Sequence, residues 1–180
     1  MIKLILLLIC LFTFASFSNN YAQNDWTRIV YYNSNGENSP ELKKYYIISL
    51  NRAGEGKLEY FKSGKVNEYE FQTNRKSLNK FNNLLNKSGI YKTNSQELKS
   101  EDFKGNSSLL NMTIYFEKTK ENFLQYSGKE YSEEEIAEKR KEPYLAIPTE
   151  YNVKYAEMIN KIYLGLEFLV PDKIWNEALN

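Results

Sequence analysis

Short runs in which apolar and polar positions alternate fill the first half of the chain after residue 25, the pattern of strands half-buried in a sheet. Residues 26–32 (WTRIVYY) are rich in β-branched and aromatic side chains and predict the first strand. Turn chemistry fills 33–40 (NSNGENSP), a second strand is predicted over 45–50, and 51–56 (NRAGEG) turns the chain back. Residues 57–62 and 66–73 then form a predicted hairpin around Ser63-Gly64-Lys65. In its second arm Tyr69 and Phe71 share one face and Glu68 and Glu70 the other, which gives the sheet one apolar and one wet side.

The period then changes to that of a helix. Leu78, Phe81 and Leu85, with Leu84 beside them, form one stripe over 75–88, with Thr73 or Asn74 as N-cap and Gly89 at the C′ position. A polar loop is expected over 93–107. Leu110, Met112, Ile114 and Phe116 alternate with polar neighbours in the clearest strand of the chain, and 122–126 is expected to pair with it as a hairpin. Residues 130–141 (EYSEEEIAEKRK) predict a solvated helix or a mobile excursion. Pro148 is expected to open a second amphipathic helix whose stripe is Tyr151, Tyr155, Met158, Ile162 and Leu166. Pro171-Asp172 opens a short last helix held by Ile174, Trp175 and Leu179. The fold class expected is α+β: an antiparallel β-meander with helices packed on one face.

The first 22 residues have a different character. Lys3 is followed by a run over 4–17 that is apolar apart from Thr13 and Ser16. About 20 residues are needed to cross a bilayer, so the run reads as the core of a secretory signal peptide rather than an anchor. Ala22 places cleavage before Gln23, with Ser16-Phe17-Ser18 as a second small-x-small site. Bulky Ile9 before Cys10 argues against lipidation. The division expected is a signal peptide over 1–22 and one domain over 23–180. Its destination is the periplasm or the medium, with no membrane insertion after cleavage.

Composition narrows the chemistry. Cys10 is the only cysteine, so the domain over 23–180 is stabilised by a core rather than by disulfides. The chain has no histidine, which excludes Ser-His-Asp and Cys-His catalysis and the ordinary zinc, copper and haem sites; no cofactor is expected. Lys3 is the only charged residue before position 23, so the remainder balances acid against base and exerts no general pull on nucleic acid.

Several motifs match known chemistry only in part. Ser77-Leu78-Asn79-Lys80 has the S-x-x-K spacing, and Lys62-Ser63-Gly64 and Lys87-Ser88-Gly89 resemble its K-[ST]-G companion. The chain order is wrong, however, and a chain this rich in Ser and Lys yields roughly one or two such matches by chance. Glu68 and Glu70, or Glu133, Glu134 and Glu135, offer carboxylates for a hydrolase, the alternative function considered. The Asn33, Asn35, Glu37 and Asn38 turn has oxygens but not the spacing of a calcium loop.

Tyrosine carries the strongest hint of binding. Tyr31-Tyr32 and Tyr45-Tyr46 are adjacent pairs on predicted strands, so one ring of each pair points away from the core. Such rings would form an aromatic patch suited to a protein or glycan partner. The expected function is therefore an exported, non-catalytic binding domain, with a structural component of the envelope as a further alternative.

Leu84-Leu85-Asn86-Lys87-Ser88-Gly89-Ile90-Tyr91, together with Phe168-Leu169-Val170-Pro171 and Trp175, resembles a loose group of small exported bacterial proteins of unknown function. In that group a β-meander and helix precede a terminal VP-x-x-x-W turn. The resemblance implies shared packing and brings no catalytic residue.

Overall fold

The computed structural model describes residues 26–39, 41–100, 109–127, 131–138 and 142–180. The expected signal peptide and its cleavage positions lie outside the described residues, as do Pro40 and parts of the expected loop over 93–107 and excursion over 130–141.

Strands β1 (Trp26–Ser34), β2 (Lys44–Asn51), β3 (Glu55–Lys62) and β4 (Lys65–Gln72) form the expected meander. β5 (Leu109–Phe116) and β6 (Tyr144–Ile147) extend it beyond β1, giving a six-stranded sheet in the order β4-β3-β2-β1-β5-β6. All neighbouring strands are antiparallel. The β3–β4 turn is the pair Ser63-Gly64, with φ of 54° and 80°. Two residues at positive φ match the right-handed twist of the strands they join.

Six helices are described: α1 (Arg75–Ser88), α2 (Ser95–Leu98), α3 (Lys120–Asn122), α4 (Glu133–Glu138), α5 (Ala156–Glu167) and α6 (Asp172–Leu179). α1 has the predicted bounds. Asn74 caps it, accepting a hydrogen bond from the Ser77 N–H, and Gly89 ends it at φ 83°. Its stripe of Leu78, Phe81 and Leu85 is buried on the sheet face that carries Ile29, Tyr31, Ile48, Leu58, Phe71 and Ile114. α5 adds Ile159, Ile162, Tyr163 and Leu166 to this core, and the Trp26 indole donates to Asn82 of α1 at 3.1 Å. α5 comes close to α1 at Gly165, where a Cβ would stand 2.7 Å from Leu84 Cδ2. The α+β class is therefore as expected: an antiparallel sheet with its core helices on one face.

Four local expectations are corrected. Residues 122–126 are not a strand: α3 runs into one turn of π-helix (Phe123–Ser127). The Thr119 hydroxyl accepts from the Asn122 N–H and the Asn122 amide donates to the Glu117 carbonyl, so the turn after β5 nucleates a helix. Phe123 and Tyr126 are then both buried, one helical turn apart. The strand beside β5 is instead β6, four residues between Pro143 and Pro148, too short to show a period.

The expected loop over 93–107 contains α2, capped by Asn94 and anchored by buried Leu98. Ser95 of this helix accepts the outward Ala146 N–H at 2.9 Å and so closes that edge of the sheet. Finally, α5 begins at Ala156 rather than at Pro148, and α6 buries Ala178. Ile174 and Trp175 are only half-buried and Leu179 is exposed.

Candidate functional site

Strand alternation splits both tyrosine pairs. Tyr31 and Tyr46 point to the helix side, where Tyr31 is buried and Tyr46 half-buried, whereas Tyr32 and Tyr45 stand on the opposite face. Tyr45 faces Phe61 across β2 and β3. Their rings stack at a centroid distance of 4.8 Å and 8° between planes, and the Tyr32 ring lies 5.7 Å from Tyr45. Val30, Ile47, Val66 and Leu109 flank this row, and none of them is buried.

The orientation of the rings decides what they can contact. Two rings lying flat side by side could not bring their centroids this close. At 4.8 Å, the spacing of neighbouring strands, Tyr45 and Phe61 stand upright and cover each other's faces. They present edges to water. A second aromatic group lies towards the other end of this face, where Arg28 sits 4.1 Å above the Tyr115 ring and pairs with Glu142 at 3.0 Å, with Tyr144 alongside.

A pocket of about 490 Å³ opens at the other end of the sheet, between β1–β3 and the segment joining α5 to α6. At its base Glu167 Oε1 accepts from the hydroxyls of Tyr31 at 2.9 Å and Tyr46 at 2.5 Å. The Asn33 amide nitrogen donates to both hydroxyls, at 3.3 and 2.6 Å. Trp175 packs edge-on to Tyr46 at 5.1 Å and its indole N–H donates to the Glu167 carbonyl at 3.3 Å. Burial first, and the Glu167 charge with it, hold the Tyr46 hydroxyl well above its ordinary pKa. For Tyr31 burial again dominates, followed by the neighbouring Tyr46 and Glu167. Both hydroxyls therefore remain donors at any physiological pH. Leu164, Phe168 and Leu179 form an exposed apolar lip, 55%, 82% and 53% accessible.

The other sequence candidates are not brought together. Glu68 and Glu70 are exposed on edge strand β4, and Glu68 lies 3.4 Å from Lys57. Glu133, Glu134 and Glu135 are exposed on α4. Asn35 Oδ1 accepts from the N–H groups of Glu37 and Lys44, so that loop is an ordinary capped turn. Ser77 lies in the first turn of α1 and Lys80 is exposed. Among the described residues no three acidic, His or Cys side chains are grouped to hold a metal ion. Glu167 had no motif to mark it, Asn33 was considered only as part of the turn over 33–38, and Phe168 only as part of the terminal stretch that carries the resemblance. The one sequence signal near them was the VP-x-x-x-W turn, which supplies Val170 and Trp175 to the pocket wall.

No protein-family model matches the chain, and comparison with curated proteins finds no similar one. Among the described residues no helix is long and apolar enough to cross a membrane.

Proposed function

We propose that this chain is an exported, non-catalytic domain that docks a protein partner on the sheet face opposite the helices, around Tyr32, Tyr45 and Phe61. The stacked Tyr45–Phe61 pair carries the reading. Sugar binding uses an exposed aromatic face, and these two faces are turned to each other. Upright edges, those of Tyr32 and Tyr45 tipped by hydroxyls, suit a protein surface, which offers side chains to insert between them and carbonyls to accept from the two hydroxyls. Lys57, Glu59 and Glu68 lie beside the row and give it a rim of mixed charge, the usual surround of an apolar docking patch. Export rests on the apolar run over 4–17 and the small residue at Ala22.

Crosslinking in envelope preparations, with the Tyr32→Ala/Tyr45→Ala variant beside the native chain, tests the reading. One protein should be crosslinked by the native chain and lost from the variant. The purified protein should then bind saturably, with the melting temperature of the variant close to native. Equal crosslinking by both chains would sink the proposal, and saturable binding of a soluble oligosaccharide at these tyrosines would replace the protein partner by a glycan. Intact mass of exported protein beginning at Gln23 tests the export; retention of Met1 would refute it.

A further inference from the structure

The pocket at the α5–α6 junction has a chemistry of its own, although Tyr45 lines it as well as the docking face. The side-chain amide and indole N–H donors that line the pocket are already engaged inside the protein. The Asn33 amide is bonded to two tyrosine hydroxyls, the Asn35 amide to the Leu42 carbonyl, and the Trp175 indole to the Glu167 carbonyl. Acceptors are left over. Glu167 Oε1 takes both hydroxyls, while among the described residues Oε2 has no partner and no cation pairs with the carboxylate. Glu167 also ends α5, where the partial negative charge of the helix C-terminus adds to its own. Asp172 lines the same pocket. Around these acids stand aromatic rings. Because the indole N–H is bonded away, what Trp175 has left to offer a ligand is its π surface.

We infer that this pocket binds an organic cation, an alkylammonium or guanidinium group. Its charge meets Glu167 Oε2 and its hydrocarbon lies along Tyr46, Trp175 and Phe168. A carboxylate half-sequestered among aromatic rings, with no counter-ion among the described residues, is stabilised by such a ligand on both counts, by a charge-assisted hydrogen bond and by cation–π contact. Phe168 and Leu179 then cease to be apolar side chains left in water, becoming the walls against which the alkyl chain rests. One residue opposes the ligand: Lys44, exposed at the mouth, repels any cation that enters.

The two indole N–H resonances in NMR report binding separately, since Trp26 is fully buried and bonded to Asn82 while Trp175 lines the pocket. Titration with n-butylammonium or n-butylguanidinium should move the Trp175 signal saturably and leave Trp26 in place, and 1-pentanol should bind about tenfold more weakly or worse. Glu167→Gln keeps an acceptor for the two hydroxyls and removes the charge; it should weaken the cation about tenfold or more. Lys44→Met should tighten it by about twofold to fivefold at low salt. Nα-acetyl-lysine methylamide separates the sources. If it binds as well as the free amine, the ligand is a side chain of a protein; if it is refused while the amine binds, the ligand is a small amine. Equal binding of 1-pentanol, native affinity in Glu167→Gln, looser binding in Lys44→Met, or an immobile Trp175 signal with every cation would each overturn the assignment. Tyr45 lines both this pocket and the docking face, whereas Tyr32 and Phe61 belong to the docking face alone, so loss of partner capture in Tyr32→Ala with an unchanged cation titration keeps the two readings apart.

Discussion

Gly56 and Phe71 are cross-strand partners on β3 and β4, and the Phe71 ring occupies the space that a side chain at 56 would need. A Cβ there would stand 2.3 Å from Phe71 Cζ. The bare backbone of a strand glycine is thus covered by the aromatic ring beside it, a device that protects a glycine near a sheet edge. Gly56 has no positive φ, so close approach alone requires glycine. Gly56→Ala should cost about 1–3 kcal/mol by overpacking. Urea unfolding measures it, and Phe71→Leu in the same chain should recover part of the loss from Gly56→Ala, as expected for contacting residues.

Tyr163 is 3% exposed and its hydroxyl has no hydrogen-bond partner among the described residues. Tyr163→Phe removes a buried polar group that gains nothing, so stability should stay level or rise by about 1 kcal/mol. A loss above about 1 kcal/mol in denaturant melts would mean that the hydroxyl is bonded in solution.

Burial raises the pKa of Tyr31, Tyr46, Tyr91 and Tyr163 above the ordinary value of 10.0. A group whose pKa is higher in the folded chain keeps its proton when the unfolded chain has lost it. Its contribution is fully present below the unfolded pKa and falls away as pH rises beyond that. Stability should therefore be flat through neutrality and decline above pH 10.0, with tyrosinate absorbance from these four rings appearing only on unfolding. Full tyrosinate absorbance in a chain that remains folded would contradict this.

Trp175 holds α6 to the sheet through Tyr46 and the Glu167 carbonyl, yet it is half-buried. A fully buried Trp costs about 3–5 kcal/mol on truncation to Ala, so about 2–3 kcal/mol is expected here. A helix of eight residues has little stability alone. Trp175→Ala should accordingly raise hydrogen exchange in α6 well before it loosens β1 to β3. Uniform loss of protection across the sheet would count against a separately docked helix.

Neither reductant nor chelator should move the melting temperature. Cys10 is the only cysteine and precedes the described residues, and the chain has no histidine. Melts with dithiothreitol or EDTA should overlay the untreated one; a shift of a few degrees with EDTA would show a bound cation.

Legibility from the sequence followed the range of the forces involved. The meander, α1 with Asn74 and Gly89 at its ends, and α6 after Pro171 are written in neighbouring residues: alternation, caps, positive-φ turns and a helical stripe. The segment over 122–126 was misread because Asn-Phe-Leu-Gln-Tyr suits strand or helix equally. The choice fell to the Thr119 and Asn122 side-chain bonds and to the burial of Phe123 and Tyr126. β6 was missed because four residues cannot display a period and its partner strand is 28 or more positions away.

By itself the sequence determined that the core is an antiparallel sheet under amphipathic helices, that one ring of each tyrosine pair leaves the core, and that His- and disulfide-based chemistry is absent from residues 23–180. Strand periodicity splits Tyr31 from Tyr32 and Tyr45 from Tyr46 wherever they lie. Which ring went outward was decided by register, because a slip of one residue exchanges the two faces. The stack of Tyr45 on Phe61 and the junction of Asn33, Tyr31, Tyr46 and Glu167 likewise belong to the tertiary structure. Tyr31 and Glu167 are 136 positions apart in the chain, and no local preference reaches that far. Only the packing of α5 onto the sheet brings the carboxylate to the hydroxyls that hold it.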